Sequence, residues 1–235
     1  MPDIDRPAHA RDAGFFAAAW PFTGRKGARS RMTPLFQGKI DNFCAAYAVL
    51  NAMRLIHGIS DLQARALFSE LLLSQSRDEK AFRAILSHGT DYVDMVDAFL
   101  GQISERFPLR VSAPFDAETA CDEVWAALAA YARPEQGRSA VFRFRRYEAF
   151  CVRPRADHWT AAHRMEGGVL RFFDCSLEPD GLYHLTRQIM KDDVDQRVTE
   201  YVIVPPESVR LMERAGAEDG AYGDAYGNGA GTWRY

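Results

Sequence analysis

At 235 residues and 47% apolar, with 15 Phe, 9 Tyr and 4 Trp, the chain can bury the core of one substantial domain, or of one domain with an insertion. Its net charge of -3 supplies no basic field to draw nucleic acid or an anionic membrane, and no apolar run reaches the ~18 residues of a membrane span. The four cysteines (44, 121, 151, 175) are widely spaced and form no C-x-x-C, which argues against a disulfide framework in a chain of this size.

Residues 1–31 read as an irregular arm ending in the basic cluster Arg25, Lys26, Arg29 and Arg31. Within it Asp3, Asp5, Arg6, Arg11 and Asp12 precede a short apolar patch, Phe15–Trp20, which is the wrong order for a secretory signal. A cytosolic protein is expected, or one exported by a route that needs no signal peptide. A single domain is expected over 32–214. Gly38, Asp41 and Asn42 are turn and cap formers, and from Ala45 the pattern becomes helical, with Ala46, Val49, Leu50, Met53 and Ile56 on one stripe. Helix is predicted over 44–57, stopped by Gly58. Further helices are predicted at 61–75, capped by Asp61, at 76–87, and at 91–107 behind Thr90 or Asp91. A last one spans 117–132, through Trp125 and Leu128.

The period then changes. Ser139–Phe144, His158–Met165 and Val169–Asp174 alternate as strands, the last two joined through Glu166-Gly167-Gly168, a hairpin signal. Tyr201–Val204 before Pro205-Pro206 reads as a final strand. Helices first and antiparallel strands second predict an α+β fold with two facing lobes. Residues 215–235 form a flexible tail rich in Gly and Tyr, with six Gly between 215 and 232.

Cys44 is the most informative residue. It stands at a predicted helix N-terminus, where unpaired N–H groups and the helix dipole favour a thiolate and hence a nucleophile. Thiol hydrolysis also requires an imidazole and a group that orients it. His57 lies thirteen residues down the same helix, about 20 Å away, and is excluded. His158 and His163 differ by an odd offset and face opposite sides of a strand. Asp174 ends the returning strand, beside His158 and far from His163. His158 is nine residues before Gly167 and Asp174 six after Gly168, a mismatch that a bulge can absorb. His158 is therefore the expected base and Asp174 its orienter, with Phe172 shielding the pair. Asp157 is a weaker orienter because adjacent strand residues point apart. The same alternation turns Cys175 away from Asp174.

The run Cys44-Ala45-Ala46-Tyr47-Ala48-Val49-Leu50-Asn51-Ala52, with Asp157-His158-Trp159-Thr160 and Asp174, resembles the papain-like cysteine peptidase superfamily. The local motifs are most similar to bacterial leader peptidases that cleave after double glycine and to phytochelatin-synthase-like transpeptidases. The resemblance spans about 37–57 and 157–176. It implies a papain-like fold, an N-terminal helical lobe whose nucleophile helix packs on a C-terminal antiparallel sheet. It also implies that Gln37, seven residues before Cys44, donates to the oxyanion; the family's usual spacing is six, and Ala45 stands where Gly is frequent. Asn42 is a second donor candidate.

A cysteine peptidase acting on a peptide or isopeptide bond of a protein substrate is the expected function, through a Cys44-His158-Asp174 triad. Acyl transfer through the same thioester remains open, as does a catalytically idle binding module. No cofactor or metal is expected: H-E-x-x-H is absent and His158 and His163 have the wrong parity to share an ion. The arginines at 138, 143, 145, 146, 153 and 155 read as a solvated strand face rather than an anion site. The tail aromatics Tyr222, Tyr226, Trp233 and Tyr235 read as part of a disordered segment.

Overall fold

Helix α1 (Cys44–His57) is built from small and medium apolar residues, and almost every one of them is buried: Ala45, Ala46, Val49, Ala52 and Met53 are fully enclosed. The stripe expected from the sequence is therefore part of a helix packed on nearly all sides, because its alanines let neighbours approach closely. Gly58 ends it in the left-handed conformation (φ +65°), donating its N–H to the Arg54 carbonyl at 2.9 Å. A computed structural model describes residues 32–37, 42–87, 90–176, 183–194 and 198–216, and every described element belongs to the unit Pro34–Tyr235. The expected arm of 1–31, the tail aromatics, Gly38 and Asp41 lie outside the described residues.

Three further helices follow: α2 (Asp61–Gln75), α3 (Glu79–Leu86) and α4 (Val93–Ser104). Ser60, not Asp61, caps α2, in a reciprocal capping box with Gln63, and Asp61 instead pairs with Arg54 at 2.6 Å. Asp78 caps α3, so the chain turns at 76–78 where continuous helix was predicted. Tyr92 precedes α4 with φ +69°, a left-handed position that costs a bulky residue strain.

The sheet among the described residues has seven strands: β1 (Leu109–Ser112), β2 (Arg138–Glu148), β3 (Ala156–Glu166), β4 (Val169–Phe173), β5 (His184–Thr186), β6 (Glu200–Ile203) and β7 (Arg210–Arg214). Their order is β1-β7-β2-β3-β4-β5, all antiparallel, with β6 also paired to β2. The long strand β2 pairs with β7 through 138–141 and with β6 through 145–148. Pro205 and Pro206, which cannot donate to a ladder, fall in the break between those two partners.

Alternation along the strands feeds two cores. Val141, Trp159, Ala161, Phe173 and Met212 join α1, α2 and α4 on one face. Ala140, Phe142, Phe144, Ala162, Leu170 and Leu211 meet Cys121, Val124 and Leu128 of α5 (Cys121–Tyr131) on the other. The fold is α+β as expected, but α5 lies across the sheet from α1 instead of extending a single helical lobe. Strand β1 also precedes α5, so helices and strands are not segregated along the chain. The arginines of β2 are mostly paired: Arg138 with Glu213, Arg143 with Asp157, and the fully buried Arg146 with Glu200, so they do not form a plain solvated face.

Candidate active site

The β3–β4 hairpin creates the site. Gly167 (φ +56°) and Gly168 (φ +80°) form a two-residue turn of the type that matches strand twist, flanked by the pair Glu166↔Val169. The register shifts between Ala162 and Arg164, so His163 is bulged, and the pairing beyond it sets Ala161 opposite Phe173. The strand ends at Phe173. Residues 174–176 run on without ladder pairing, and the alternation that would turn successive side chains apart lapses there.

As a result both Asp174 and Cys175 reach His158. Asp174 Oδ1 lies 3.1 Å from His158 Nε2, and Cys175 Sγ lies 3.5 Å from the same nitrogen. The ligand atoms of His158, Asp174 and Cys175 lie within 4.8 Å of one another. The expectation that Cys175 faces away fails for this local reason. Asp174 Oδ1 also accepts the Ser176 N–H at 2.7 Å, while Oδ2 is buried and without a hydrogen-bond partner among the described residues.

Gln37 enters from the segment before α1. Its N–H donates to the Cys175 carbonyl at 2.8 Å, and its Oε1 accepts from Cys175 Sγ at 3.6 Å. Asn51, fully buried in α1, holds that segment: Oδ1 accepts the Leu35 N–H at 2.7 Å and Nδ2 donates to the Leu35 carbonyl at 3.2 Å. Cys44 is the first residue of α1, 7% exposed, and Phe43 supplies no side-chain cap to the N–H groups of that end. Rings enclose His158, with Phe144 at 6.0 Å and Tyr183 at 5.8 Å between centroids. Phe172, the expected shield, packs one layer back against Phe144.

The electrostatics bind these groups together. Burial is the largest influence on His158 and pushes it down, yet hydrogen bonds to Asp174, Cys175 and Cys44, with the Asp174 charge, outweigh it. The imidazole is held protonated well above 6.5. Burial pushes the Cys175 thiol up to about 11, against a lowering hydrogen bond from His158. Tyr92 is pushed up to about 12 by burial and by the neighbouring Cys44, and Arg143 also senses Cys44.

The other candidates are engaged elsewhere. Asn42 Nδ2 donates to the Leu86 carbonyl at 2.6 Å. Asp157 makes a two-pronged pair with Arg143 at 2.6 and 2.7 Å. His57 packs on Phe107 and His163 on Phe173. Residues at or beside the site that were not assigned to it from the sequence include Cys175, Asn51, Tyr92, Arg143, Phe144 and Tyr183. The segment holding Tyr92 carries only a local cap signal, and contact between it and α1 is a matter of packing alone. Comparison of the chain with protein-family models, with curated proteins and with solved structures finds no match.

Proposed function

We propose that the chain is a papain-like thiol hydrolase that cleaves a peptide or isopeptide bond, with Cys44 as nucleophile. The observation that carries this reading is the placement of His158, hydrogen-bonded to Asp174 at 3.1 Å and to Cys44, contacts that raise its pKa. An imidazolium beside a thiolate at a helix N-terminus is the ground state of a Cys–His hydrolase, so the sulfur attacks without a proton to lose.

The steps follow from the groups. The Cys44 sulfur attacks the carbonyl carbon, and the carbonyl π electrons move to oxygen. That oxyanion meets the N–H groups at the start of α1 and the amide of Gln37, whose Oε1 is taken by Cys175 and whose Nε2 is the donor end. His158 passes its proton to the leaving amine, the C–N bond breaks and a thioester remains. Water then gives a proton to His158 as its oxygen attacks the thioester, and the Cys44 sulfur departs. Asp174 keeps the imidazole oriented throughout.

Cys175 is the rival thiol, and two observations favour Cys44. Cys175 is 1% exposed, and its raised pKa keeps it a neutral thiol near pH 7. Turnover of a fluorogenic peptide library, read in parallel with circular dichroism, tests the reading. Cys44→Ala is expected to fold normally and lose about 10⁴-fold or more of the rate. Hydrolysis retained in that variant overturns the assignment.

A further inference from the structure

We infer that His158, Asp174 and Cys175 also form a binding site for a soft divalent cation, zinc above all, on which they act together as ligands. This goes beyond the hydrolase reading, because Cys175 has no bond-making role there and Cys44 has none here.

The ligand set is of the right chemistry. Zinc takes imidazole nitrogen, thiolate sulfur and carboxylate oxygen, commonly three protein groups with a fourth position left for water. The spacing also suits it. A tetrahedral ion with Zn–S of about 2.3 Å and Zn–N of about 2.0 Å separates its sulfur and nitrogen ligands by roughly 3.5 Å. His158 Nε2 and Cys175 Sγ are 3.5 Å apart, and all three donor atoms fall within 4.8 Å of one another. The cage therefore needs little movement to close on an ion.

A second observation points the same way. Asp174 is 7% exposed, yet its Oδ2 has no hydrogen-bond partner among the described residues. A buried carboxylate oxygen with no donor is costly, and a cation supplies what it lacks. Charge balances as well: one thiolate and one carboxylate neutralise a divalent ion, and the coordinating thiol releases its proton to solvent. Gln37 Oε1 lies beside the cluster, 3.6 Å from Cys175 Sγ. Bound zinc occupies the His158 nitrogen that Asp174 otherwise orients, so metal occupancy and thiol hydrolysis exclude each other.

The test uses the full chain, freed of metal and titrated with zinc ion alone against a competing chelator. One tight equivalent per chain is expected. Cys175→Ser is expected to weaken it by at least about 100-fold, beyond the ~10–100-fold that loss of an outer-shell partner costs. Cys151→Ser, at an exposed cysteine, is expected to leave the affinity unchanged. The Cys44→Ala chain separates the two readings: it loses the proposed nucleophile and keeps all three ligands, so it should still bind zinc. With cobalt(II) in place of zinc, that same chain should show a thiolate charge-transfer band, which requires no fold from the Cys175 variant. No stoichiometric binding, an affinity equal in wild type and Cys175→Ser, or a Cys44→Ala chain without the cobalt band overturns the inference.

Discussion

His57 shows what burial does to a single titratable residue. It sits at the C-terminal end of α1, 9% exposed, with Nε2 unpartnered among the described residues, and burial together with the nearby Arg214 lowers its pKa to about 4. The unfolded chain thus takes up this proton first as the pH drops. Stability from the neutral ring is present above about 6.5 and is lost as the pH falls towards about 4. The loss is on the order of 3 kcal/mol. Urea unfolding at pH 7 and pH 5 should show His57→Leu losing less stability between the two than wild type; equal losses contradict the account. At Gln37 the expected effect is kinetic. On the proposed hydrolase reading, replacing it with Ala removes one oxyanion donor and should lower kcat by ~10²–10³-fold. A turnover assay that finds kcat unchanged removes Gln37 from the oxyanion site.

At the scale of elements, α1 does two jobs through opposite parts of its length. Its N-terminus carries Cys44, and one residue two turns on, Asn51, grips the Leu35 backbone and so fixes the segment carrying Gln37. Asn51→Ala takes the partner from the half-buried N–H and C=O of Leu35, at a cost of about 1 kcal/mol. It should also lower kcat by loosening Gln37. If so, the double variant with Gln37→Ala is no slower than Gln37→Ala alone, because the two act through one donor. Additive losses in kcat separate Asn51 from Gln37. The β3–β4 hairpin shows the complementary device: a turn fixes register, and the bulge at His163 then re-aims the strand so that His158 and Asp174 meet.

On the scale of the whole molecule, the sheet is loaded on both faces, and an ion pair with one buried partner ties β7 to α4. Arg210 of β7, 4% exposed, makes a two-pronged pair with Asp97 of α4 at 2.5 and 2.8 Å. The Asp97 side chain is half exposed, which screens the pair and limits the cost of Asp97→Ala to about 1–2 kcal/mol. That still exceeds the few tenths of a kcal/mol expected for Glu79→Ala, whose partner Arg83 lies wholly on the surface. Chemical denaturation of both variants checks the order, and a reversed ranking contradicts the tying role of Arg210.

Those signals that act within a few residues were legible in the chain. The bounds of α1 and α2 follow from Gly58 and from apolar spacing, although Ser60 and not the expected Asp61 caps α2, and the Gly167-Gly168 turn fixed the hairpin that sets His158 near Asp174. The α+β class follows from the change of period between the two halves. What needed the tertiary structure was whatever depends on partners far along the chain. Strands β1, β5 and β7 are set by their ladder partners, and β7 splits Leu211 and Met212 between opposite cores because helices cover both faces. The side of the sheet taken by α5 was settled by packing. Cys175 entered the cluster because strand geometry stops at Phe173, and the segment of Asn51 and Leu35 closed on it from the other side. Caps, turns and periodicity are local free energies and can be read in order along the chain; a shared imidazole is a meeting of distant segments and exists only once the cores have closed.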